Sequence, residues 1–384
     1  SFRYGMGWDS VEDPALKSAG VRGWTKGGDL VQYHAAFMVA PDQGLAVVVE
    51  GAGLTFGSGS AETIGGIVLL NALVETGAVR KMPKQISTDK PAKDKPTKKQ
   101  IRRMTGIYLA QGVTIKVTEG KDRSLRFAQL SDGKWVRQPG RYVHRAGGAF
   151  WATKNPGQSI RTVKAWGRTY LVSRAIGGTG TYRAQTTIGQ RVRPGGTLSP
   201  AWRGRIGSRW LLANEVPTSV LWDIGDPPAV EIAAIPGLSG YLLAQGALVA
   251  SVPFDATISD TFGSMFVQVP LLTGRDLYDF EFSQRDGQDY LTFSSSVVTS
   301  AATVRSLPVG SSPVAIGAEG LVEWRRVPTA SNVSISGQGD WKLYDEKLKL
   351  IDAGAGSTAT TQAPEGAYLA VFGTVGTTAT VTVG

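Results

Sequence analysis

The feature that most restricts the fold is the long C-terminal zone, residues 104–384, in which short β-rich runs alternate with turn sequences. Two such runs occupy 162–166 and 169–173, and the chain's 49 glycines and 19 prolines suit this turn-rich organisation. Frequent short strands predict barrels or sandwiches. We find no repeat of fixed period that would indicate a propeller or a solenoid. A boundary near 210–217 therefore predicts a β-barrel domain at 104–213 and a second barrel or sandwich at 214–384.

The N-terminal zone, residues 1–80, follows a different pattern. Two apolar runs at 35–40 and 45–49 flank Pro-Asp-Gln-Gly, which predicts an antiparallel hairpin. Because both faces of the runs are apolar, we expect covering layers on both sides of the hairpin. A helix is predicted over 63–75, opened by Ser-Ala-Glu and ended by Gly77. A hairpin followed by a helix is typical of α/β or α+β proteins.

A basic linker, residues 81–103, separates these two zones. It contains nine basic and two acidic residues, so it carries most of the formal net charge of +10. The segment has prolines but no interleaved aromatic residues, which favours a solvated, stiffened connector over a nucleic-acid-binding element. Since the rest of the chain is nearly neutral, we expect no nucleic acid as a partner.

Composition excludes several kinds of site. The chain has no cysteine and only two histidines, so thiol nucleophiles, iron–sulfur clusters and multi-histidine metal centres are excluded. Asp223, Asp226 and Glu231 offer calcium ligands without a recognisable loop pattern. We therefore predict no metal and no cofactor. The most apolar stretch, residues 64–73, is too short for a membrane span, which needs roughly 20 residues, so a soluble chain is expected.

An ordered set of motifs in the N-terminal zone carries a family resemblance. Tyr-Gly-Met-Gly-Trp-Asp at 4–9 is followed by Gly-Trp-Thr-Lys-Gly-Gly-Asp at 23–29, by Tyr-His at 33–34, and then by the predicted hairpin and helix. This order resembles the end of the catalytic domain in serine β-lactamase-like and penicillin-binding-protein-like hydrolases. That superfamily includes class C β-lactamases, D-aminopeptidases, DD-peptidases and esterases. The resemblance covers about the first 80 residues, and D-aminopeptidase-like members also carry β-barrel domains after a linker.

The resemblance implies a role for each residue of the second motif. Lys26 would be the cationic group at the edge of the site, and the backbone N–H of Asp29 would be an oxyanion-hole donor. Gly27 and Gly28 would let a substrate lie against the strand backbone. His34, further down the same strand, is a weaker substrate-binding candidate. The alternative interpretation is that residues 26–29 form a turn, because Gly-Gly and Gly-Asp are common turn pairs.

The nucleophile that this family requires is not found in the expected place. Its Ser-x-x-Lys should precede the Lys-Gly-Gly element and open a helix, with a Tyr-x-Asn or Ser-x-Asn in between. The chain contains neither of the latter motifs, and its two Ser-x-x-Lys matches, at 87–90 and 131–134, both follow Lys-Gly-Gly. We reject both matches. The resemblance then implies that the catalytic serine lies on a missing N-terminal segment or on a partner chain.

Two rival functions remain open. Ser1 could be an N-terminal nucleophile whose own α-amine is the base. The chain could instead be a non-catalytic extracellular β protein that binds cell-wall or other carbohydrate through aromatic residues. Its candidate aromatic residues are Trp135, Trp151, Trp166, Trp202, Trp210, Trp222, Trp324 and Trp341. Paired carboxylates for glycoside hydrolysis cannot be identified from their spacing.

These observations combine into one expectation. The predicted fold is mixed: the C-terminal piece of an α/β (α+β) β-lactamase-like catalytic domain at 1–80, the linker at 81–103, and two all-β domains. The resemblance implies a serine hydrolase that cleaves amide or ester bonds, such as those of D-amino-acid peptides, through an acyl-enzyme. It would be inactive without its N-terminal part. We expect it outside the cell or in the cell envelope of a bacterium.

Overall fold

A computed structural model describes residues 5–30, 32–53, 55–222, 228–246, 248–249, 251–269, 278–317, 321–337, 339–356 and 359–384. Ser1, Tyr4, Asp223 and Asp226 lie outside the described residues. The chain folds as two compact units. One comprises Ser1–Thr105, Val117–Phe127 and Arg137–Ile188, and the other comprises Gly106–Lys116, Ala128–Val136 and Gly189–Gly384.

The N-terminal zone forms a small antiparallel sheet with one long helix. Its elements are α1 (Pro14–Ser18), β1 (Trp24–Leu30), β2 (Tyr33–Ala40), β3 (Leu45–Ala52) and α2 (Ser58–Glu75), with strand order β1-β2-β3. The predicted hairpin is confirmed, since β2 and β3 pair antiparallel around a short 3₁₀ turn at Pro41–Gln43. The helix is confirmed but begins five residues earlier than predicted, after Gly57.

Only one face of this sheet is covered by a helix. Two glycines let α2 approach closely, since a Cβ built on Gly65 would lie 2.9 Å from the sulfur of Met38. On the opposite face Trp8 stacks on Phe37, with ring centroids 5.5 Å apart. Val48 on that face remains 59% exposed. The expectation of covering layers on both sides is therefore wrong for the described residues, and we call this partly exposed side the open face.

The predicted fold class is wrong in its first part. Strands account for 47% of the described residues and helices for 12%, and this part of the chain contains no α/β catalytic domain. The physical reason is that the hairpin and helix patterns are local. They predict their own segments correctly, but they do not determine whether further strands and helices join the same sheet.

The first closed barrel follows the linker and α3 (Lys98–Met104). The sheet order is β5-β4-β12-β11-β10-β9-β8-β6-β7, and pairing of β5 with β6 closes eight strands, leaving β7 attached outside the ring. Its predicted runs at 162–166 and 169–173 are confirmed as a paired hairpin. The strands are β4 (Gly106–Ala110), β5 (Val113–Glu119), β6 (Leu125–Ser131), β7 (Lys134–Arg137), β8 (Tyr142–His144), β9 (Phe150–Ala152), β10 (Ser159–Ala165), β11 (Arg168–Ile176) and β12 (Arg183–Val192).

The linker is mostly exposed but is hydrogen-bonded at several points within its unit. The amide of Ile86 donates to the carbonyl of Gly180 at 2.9 Å, and Lys90 Nζ donates to the carbonyl of Ala152 at 2.8 Å. A capping box formed by Thr97 and Gln100 starts α3 at the end of the linker. These contacts attach the segment to strands and turns of its own unit.

The second closed barrel contains eight antiparallel strands in sequence order, β13 to β20. A short helix, α4 (Pro200–Arg205), precedes it and contributes Trp202, whose ring is fully buried against Phe254 and Phe282. The strands are β13 (Arg209–Leu212), β14 (Ala229–Ala234), β15 (Tyr241–Gln245), β16 (Val252–Asp255), β17 (Phe262–Met265), β18 (Asp279–Arg285), β19 (Gln288–Phe293) and β20 (Ser296–Ser300).

A sandwich of two four-stranded sheets ends the chain. The sheet orders are β21-β28-β23-β26 and β22-β27-β24-β25, and alternate residues of both sheets, such as Val381 and Leu369, share one core. The region predicted as one β domain, 214–384, thus contains most of the second barrel and this sandwich. The strands are β21 (Gly310–Ala315), β22 (Val322–Arg326), β23 (Ser331–Gly337), β24 (Asp340–Tyr344), β25 (Leu350–Ala355), β26 (Ala359–Ala363), β27 (Tyr368–Phe372) and β28 (Thr378–Val383).

In the described part of the chain, no helix combines the length and apolar character that a membrane crossing requires.

Candidate functional site

The Lys-Gly-Gly-Asp motif lies inside β1, at the edge of the three-stranded sheet. The alternative that residues 26–29 form a turn is therefore wrong. Thr25 directs its N–H and C=O away from β2, since both bond to the backbone of residues 9 and 10. Because backbone groups alternate in direction along a strand, the N–H groups of Gly27 and Asp29 point to the same outer edge. This is the orientation that an oxyanion-hole donor requires.

Asp9 organises the start of this edge. Its Oδ2 accepts the N–H of Gly27 at 2.7 Å and lies 3.2 Å from Lys26 Nζ, which also donates to the carbonyl of Gly27. Both side chains of the ion pair are nearly half exposed, at 44% for Lys26 and 46% for Asp9. The cation is thus held beside the outer edge of β1 and remains accessible to a bound anion.

The two glycines of the motif are not required by the packing of the strand. A Cβ on Gly28 would meet only the Cβ of Ala35, at 3.9 Å, and one on Gly27 would meet Asp9 Oδ2 at 3.4 Å. These are ordinary contact distances, and neither residue has a positive φ. Since folding does not demand glycine here, a close approach to the strand from outside is a physical reason for having two.

His34 lies on β2 rather than on β1, which corrects the expectation that it shares the strand of Lys26. It is paired directly opposite Asp29, and its Nδ1 lies 2.5 Å from Asp29 Oδ1. Strand alternation places this pair on the face covered by α2, whereas Lys26 lies on the open face. The structure therefore joins Asp29 to His34 and Lys26 to Asp9, as two separate pairs along one strand.

A cluster of carboxylates surrounds the helix-covered end of the motif. Partial burial raises the pKa of Glu62 on α2, whose side chain still reaches solvent, and the negative charges of Asp13, Asp9 and Asp29 raise it further. Sequence reasoning missed Asp9, Asp13 and Glu62 as site residues. Asp9 ends the Gly-x-Gly-Trp-Asp segment that carries the family resemblance. Its place in that motif was the sequence signal that could have identified it. Asp13 caps α1 and also accepts the hydroxyl of Thr25, which no motif indicates.

An open cavity of about 400 Å³ lies at the end of the sheet where β1 ends at Leu30 and β2 begins at Tyr33. Its lining residues come from both faces of the sheet: Leu30, Tyr33 and Glu50 from the open face, and Asp29 and His34 from the helix-covered face, with Gly28 between them on β1. The lining is mainly apolar with a few polar groups, as is usual for sites that take small organic ligands, and the volume lies in their range.

Neither Ser-x-x-Lys match forms a nucleophile site. Ser87 and Lys90 lie in the linker, where Lys90 Nζ donates to the carbonyl of Ala152. Ser131 and Lys134 flank the turn between β6 and β7. In neither case does a helix place the lysine over the serine, which agrees with their rejection from the sequence.

The remaining candidates lie apart from this edge. His144 is buried, with Nδ1 3.3 Å from the carbonyl of Asp94 and Nε2 3.1 Å from Gln100 Nε2. Five of the eight candidate tryptophans are buried in cores, Trp135 and Trp151 are half-buried, and Trp166 is exposed. The residues that the structure describes contain no group of three or more His, Asp or Glu able to hold a metal ion.

Comparisons with known proteins add no information about this site. No protein-family model matches this chain. No curated protein matches it either. The functional conclusion therefore depends on the order of the motifs and on the arrangement of β1, Asp9, Asp29 and His34.

Proposed function

We propose that residues 1–80 supply the Lys-Gly-Gly edge strand of a serine hydrolase that cleaves amide or ester bonds through an acyl-enzyme. Lys26 attracts the carboxylate of a substrate such as a D-amino-acid peptide, and the N–H of Asp29 stabilises the oxyanion. The nucleophilic Ser-x-x-Lys comes from a segment or chain outside these 384 residues. The hydrolase belongs outside the cell or in the bacterial envelope.

One observation carries the proposal: the outward direction of the Gly27 and Asp29 amides on an edge strand, with the Lys26 ammonium beside them. A substrate laid along this edge would meet backbone donors and a cation within one strand's length. Such preorganised donors aimed at developing negative charge are worth several kcal/mol in acyl-transfer sites, about 3–4 kcal/mol for one donor.

The open face supports the need for a second segment. Val48 is 59% exposed and Tyr33 is 66% exposed, and both lie on the side of the sheet away from α2. Apolar side chains on an edge-containing sheet are normally covered or paired. A segment that brings the nucleophile to β1 would also bury these side chains.

Labelling with a fluorescent fluorophosphonate tests the proposal. The chain is purified together with any polypeptide that remains bound to it, and the labelled species is identified by intact mass. We expect the label on a serine of a co-purifying polypeptide. With a fluorescent penicillin as a second probe, Lys26→Ala should slow labelling about tenfold or more, since it removes the cation that attracts the carboxylate of this probe. Lys164→Ala, which removes an exposed lysine on β10, is the matched control.

Two results would contradict the proposal. One is a folded sample in which no polypeptide is labelled. The other is labelling that proceeds at the same rate in Lys26→Ala as in the unmodified protein.

A second function, carbohydrate binding, is favoured by one residue. Trp166 stands 76% exposed at the tip of the β10–β11 hairpin, so its ring is available to stack on a sugar. Binding to insoluble cell-wall polysaccharide without any partner chain, lost in Trp166→Ala, would favour this function. Retention of binding in Trp166→Ala would exclude this residue as the platform.

A further inference from the structure

The basic linker, residues 81–103, carries lysines that the fold leaves without counter-charges. It has seven lysines, of which Lys90 donates to the carbonyl of Ala152. Within the part of the chain that the structure describes, the ammonium groups of the other six make no hydrogen bond or ion pair. These six, which we call the lysine track, are all exposed: Lys81, Lys84, Lys93, Lys95, Lys98 and Lys99. Residues 137–188 of the same unit contain nine basic residues and no acidic one, so they offer no carboxylate to the track.

The lysine track projects from a backbone that barrel residues hold in place. Arg145, which follows β8, donates to the carbonyl of Pro91 at 2.6 Å. Arg183, the first residue of β12, donates to the carbonyl of Ser87 at 3.1 Å. Because the backbone is held at these points as well as at Lys90, the track is a preorganised row of cations, and binding to it requires less ordering than binding to a free tail.

Lys93 lies directly opposite another cation. It forms an antiparallel bridge with Arg145, and the backbone hydrogen bonds of this bridge belong to the flanking residues, so the two are a non-hydrogen-bonded pair. Facing side chains come closest in such pairs, and like charges there are destabilising. Asp94 lies on the other side of the segment, where its Oδ2 is 3.5 Å from Nδ1 of the buried His144. The repulsion therefore remains in the free protein.

Lys98 and Lys99 form a second unfavourable arrangement. They are the first two residues of α3, whose first turn has no acidic residue. Cations are disfavoured at this end of a helix, because the unpaired backbone N–H groups there carry partial positive charge. The helix is nevertheless fixed in place, since Ile101 and Met104 are buried. An anionic partner beside the linker would relieve the repulsion at Lys93 and at α3 together.

We propose that the lysine track binds a linear phosphodiester polymer of the bacterial envelope, built from polyol phosphate units. The cations follow one another along the linker, which suits a chain with one negative charge per unit better than a single small anion. Lysine acts as a point charge that can meet any phosphate oxygen, whereas the planar guanidinium of arginine suits paired contacts. The choice of an envelope polymer rests on the proposed location, but the site itself does not depend on the hydrolase.

Two other polyanionic partners fit the linker less well. Single-stranded nucleic acid is bound with aromatic side chains that stack on its bases, and the linker contains none. A membrane surface is bound by apolar side chains among the cations, and Met82 is the one large apolar residue that is exposed in this segment, all of which the structure describes. A polymer without bases needs neither feature.

Fluorescence anisotropy of a labelled synthetic oligo(glycerol phosphate) tests the proposal with the 384-residue chain. We expect binding that weakens with salt, and the double variant Lys93→Gln, Lys95→Gln should bind about tenfold more weakly. The dependence of log affinity on log salt should become shallower by about one for each lysine removed. Lys347→Gln, Lys349→Gln is the matched control, because these exposed lysines have the same spacing and precede β25. It removes the same net charge and should bind like the unmodified chain.

Thermal unfolding without the oligomer gives a second readout. Lys98→Gln, Lys99→Gln should raise Tm, because it removes cations from the start of α3, and it should also weaken binding of the oligomer. A role confined to folding would instead lower Tm and leave binding unchanged, and that result would overturn the proposal.

The binding outcomes separate the lysine track from the proposed hydrolase. No binding by the unmodified chain, or equal affinity in Lys93→Gln, Lys95→Gln, would overturn the proposal. Tighter binding of duplex DNA at the same phosphate concentration, or of phosphatidylglycerol vesicles, would overturn it as well and assign the track to nucleic acid or to a lipid surface. None of these assays uses fluorophosphonate labelling. Failure of the track therefore leaves the hydrolase to its own test, and absence of a labelled serine leaves the track standing.

Discussion

The carboxylate of Asp9 accepts the backbone N–H of Gly27, with 2.7 Å between Oδ2 and the amide nitrogen. The same oxygen lies 3.2 Å from the ammonium of Lys26. One side chain from the preceding segment thus fixes both the backbone and the cation of the edge strand.

Asp9→Ala should therefore loosen β1 more than Lys26→Ala does. The first change removes a charge-assisted bond to the backbone and should cost about 1–2 kcal/mol. The second removes a half-exposed ion pair and an exposed bond from the ammonium to the carbonyl of Gly27, and should cost less than about 1 kcal/mol. Hydrogen exchange of the β1 amides measures both local opening free energies. Equal losses in the two variants would mean that the bond to Gly27 contributes nothing.

Glu62→Gln should stabilise the protein at neutral pH. Burial and the neighbouring carboxylates raise the pKa of Glu62 above its ordinary value of 4.5, so the folded state disfavours the ionised form. The stability that goes with the protonated form is fully present below the unfolded pKa and is lost as pH rises through the folded pKa. The increase in the free energy of unfolding caused by Glu62→Gln should therefore disappear at acidic pH.

Thermal unfolding at several pH values measures this gain. Glu119→Gln, on an exposed position of β5, is the control for the loss of one glutamate charge. A destabilised Glu62→Gln protein at neutral pH would contradict the assigned cause of the shift.

Tyr182 should ionise only in strongly alkaline solution. Burial raises its pKa to about 12, and the negative charges of Asp13 and Glu62 add to the effect. Because the folded pKa exceeds the ordinary value of 10.0, stability should be intact below pH 10.0 and should fall as pH rises toward about 12. Ultraviolet titration of phenolate measures the ionisation, and Tyr182→Phe should remove one late-titrating group. If Tyr182→Phe instead removes a group that titrates near pH 10.0, the raised pKa of Tyr182 is refuted.

Trp166→Asn should stabilise the first barrel by about 1 kcal/mol. Trp166 has φ 48° and the following Gly167 has φ 73°, so the two-residue turn needs left-handed backbone at both positions. Asparagine adopts that conformation more readily than tryptophan, and the exposed ring contributes little packing. Chemical denaturation measures the change. Asp132 has φ 47° in the turn between β6 and β7, and aspartate already suits this conformation. Asp132→Asn should therefore leave the free energy of unfolding nearly unchanged.

Much of the local structure could be predicted because its causes are local. The Pro-Asp-Gln-Gly turn, the flanking apolar runs and the run of helix-forming residues each specify their own segment. The same is true of the strands at 162–166 and 169–173, which are joined by a short turn. The placement of Lys26, Gly27 and Gly28 on a strand was implied by the family resemblance, whereas the local pattern left a turn open.

These local patterns did not predict how distant segments pair or pack against one another. His34 was expected on the strand of Lys26, but β1 ends at Leu30 and His34 lies on β2, opposite Asp29. Glu62 lies more than thirty residues from Asp29 in sequence, and only the packing of α2 on the sheet brings their charges into range.

By itself the sequence determined the many short strands, the hairpin and the long helix, because turn residues and apolar periodicity act over a few neighbours. Only the tertiary structure decided that the sheet has three strands, that the later zones close into two barrels and a sandwich, and that Asp9, Asp29 and His34 form pairs. Those outcomes depend on register and on burial between distant segments, where the free energy comes from contacts that no short stretch of sequence contains.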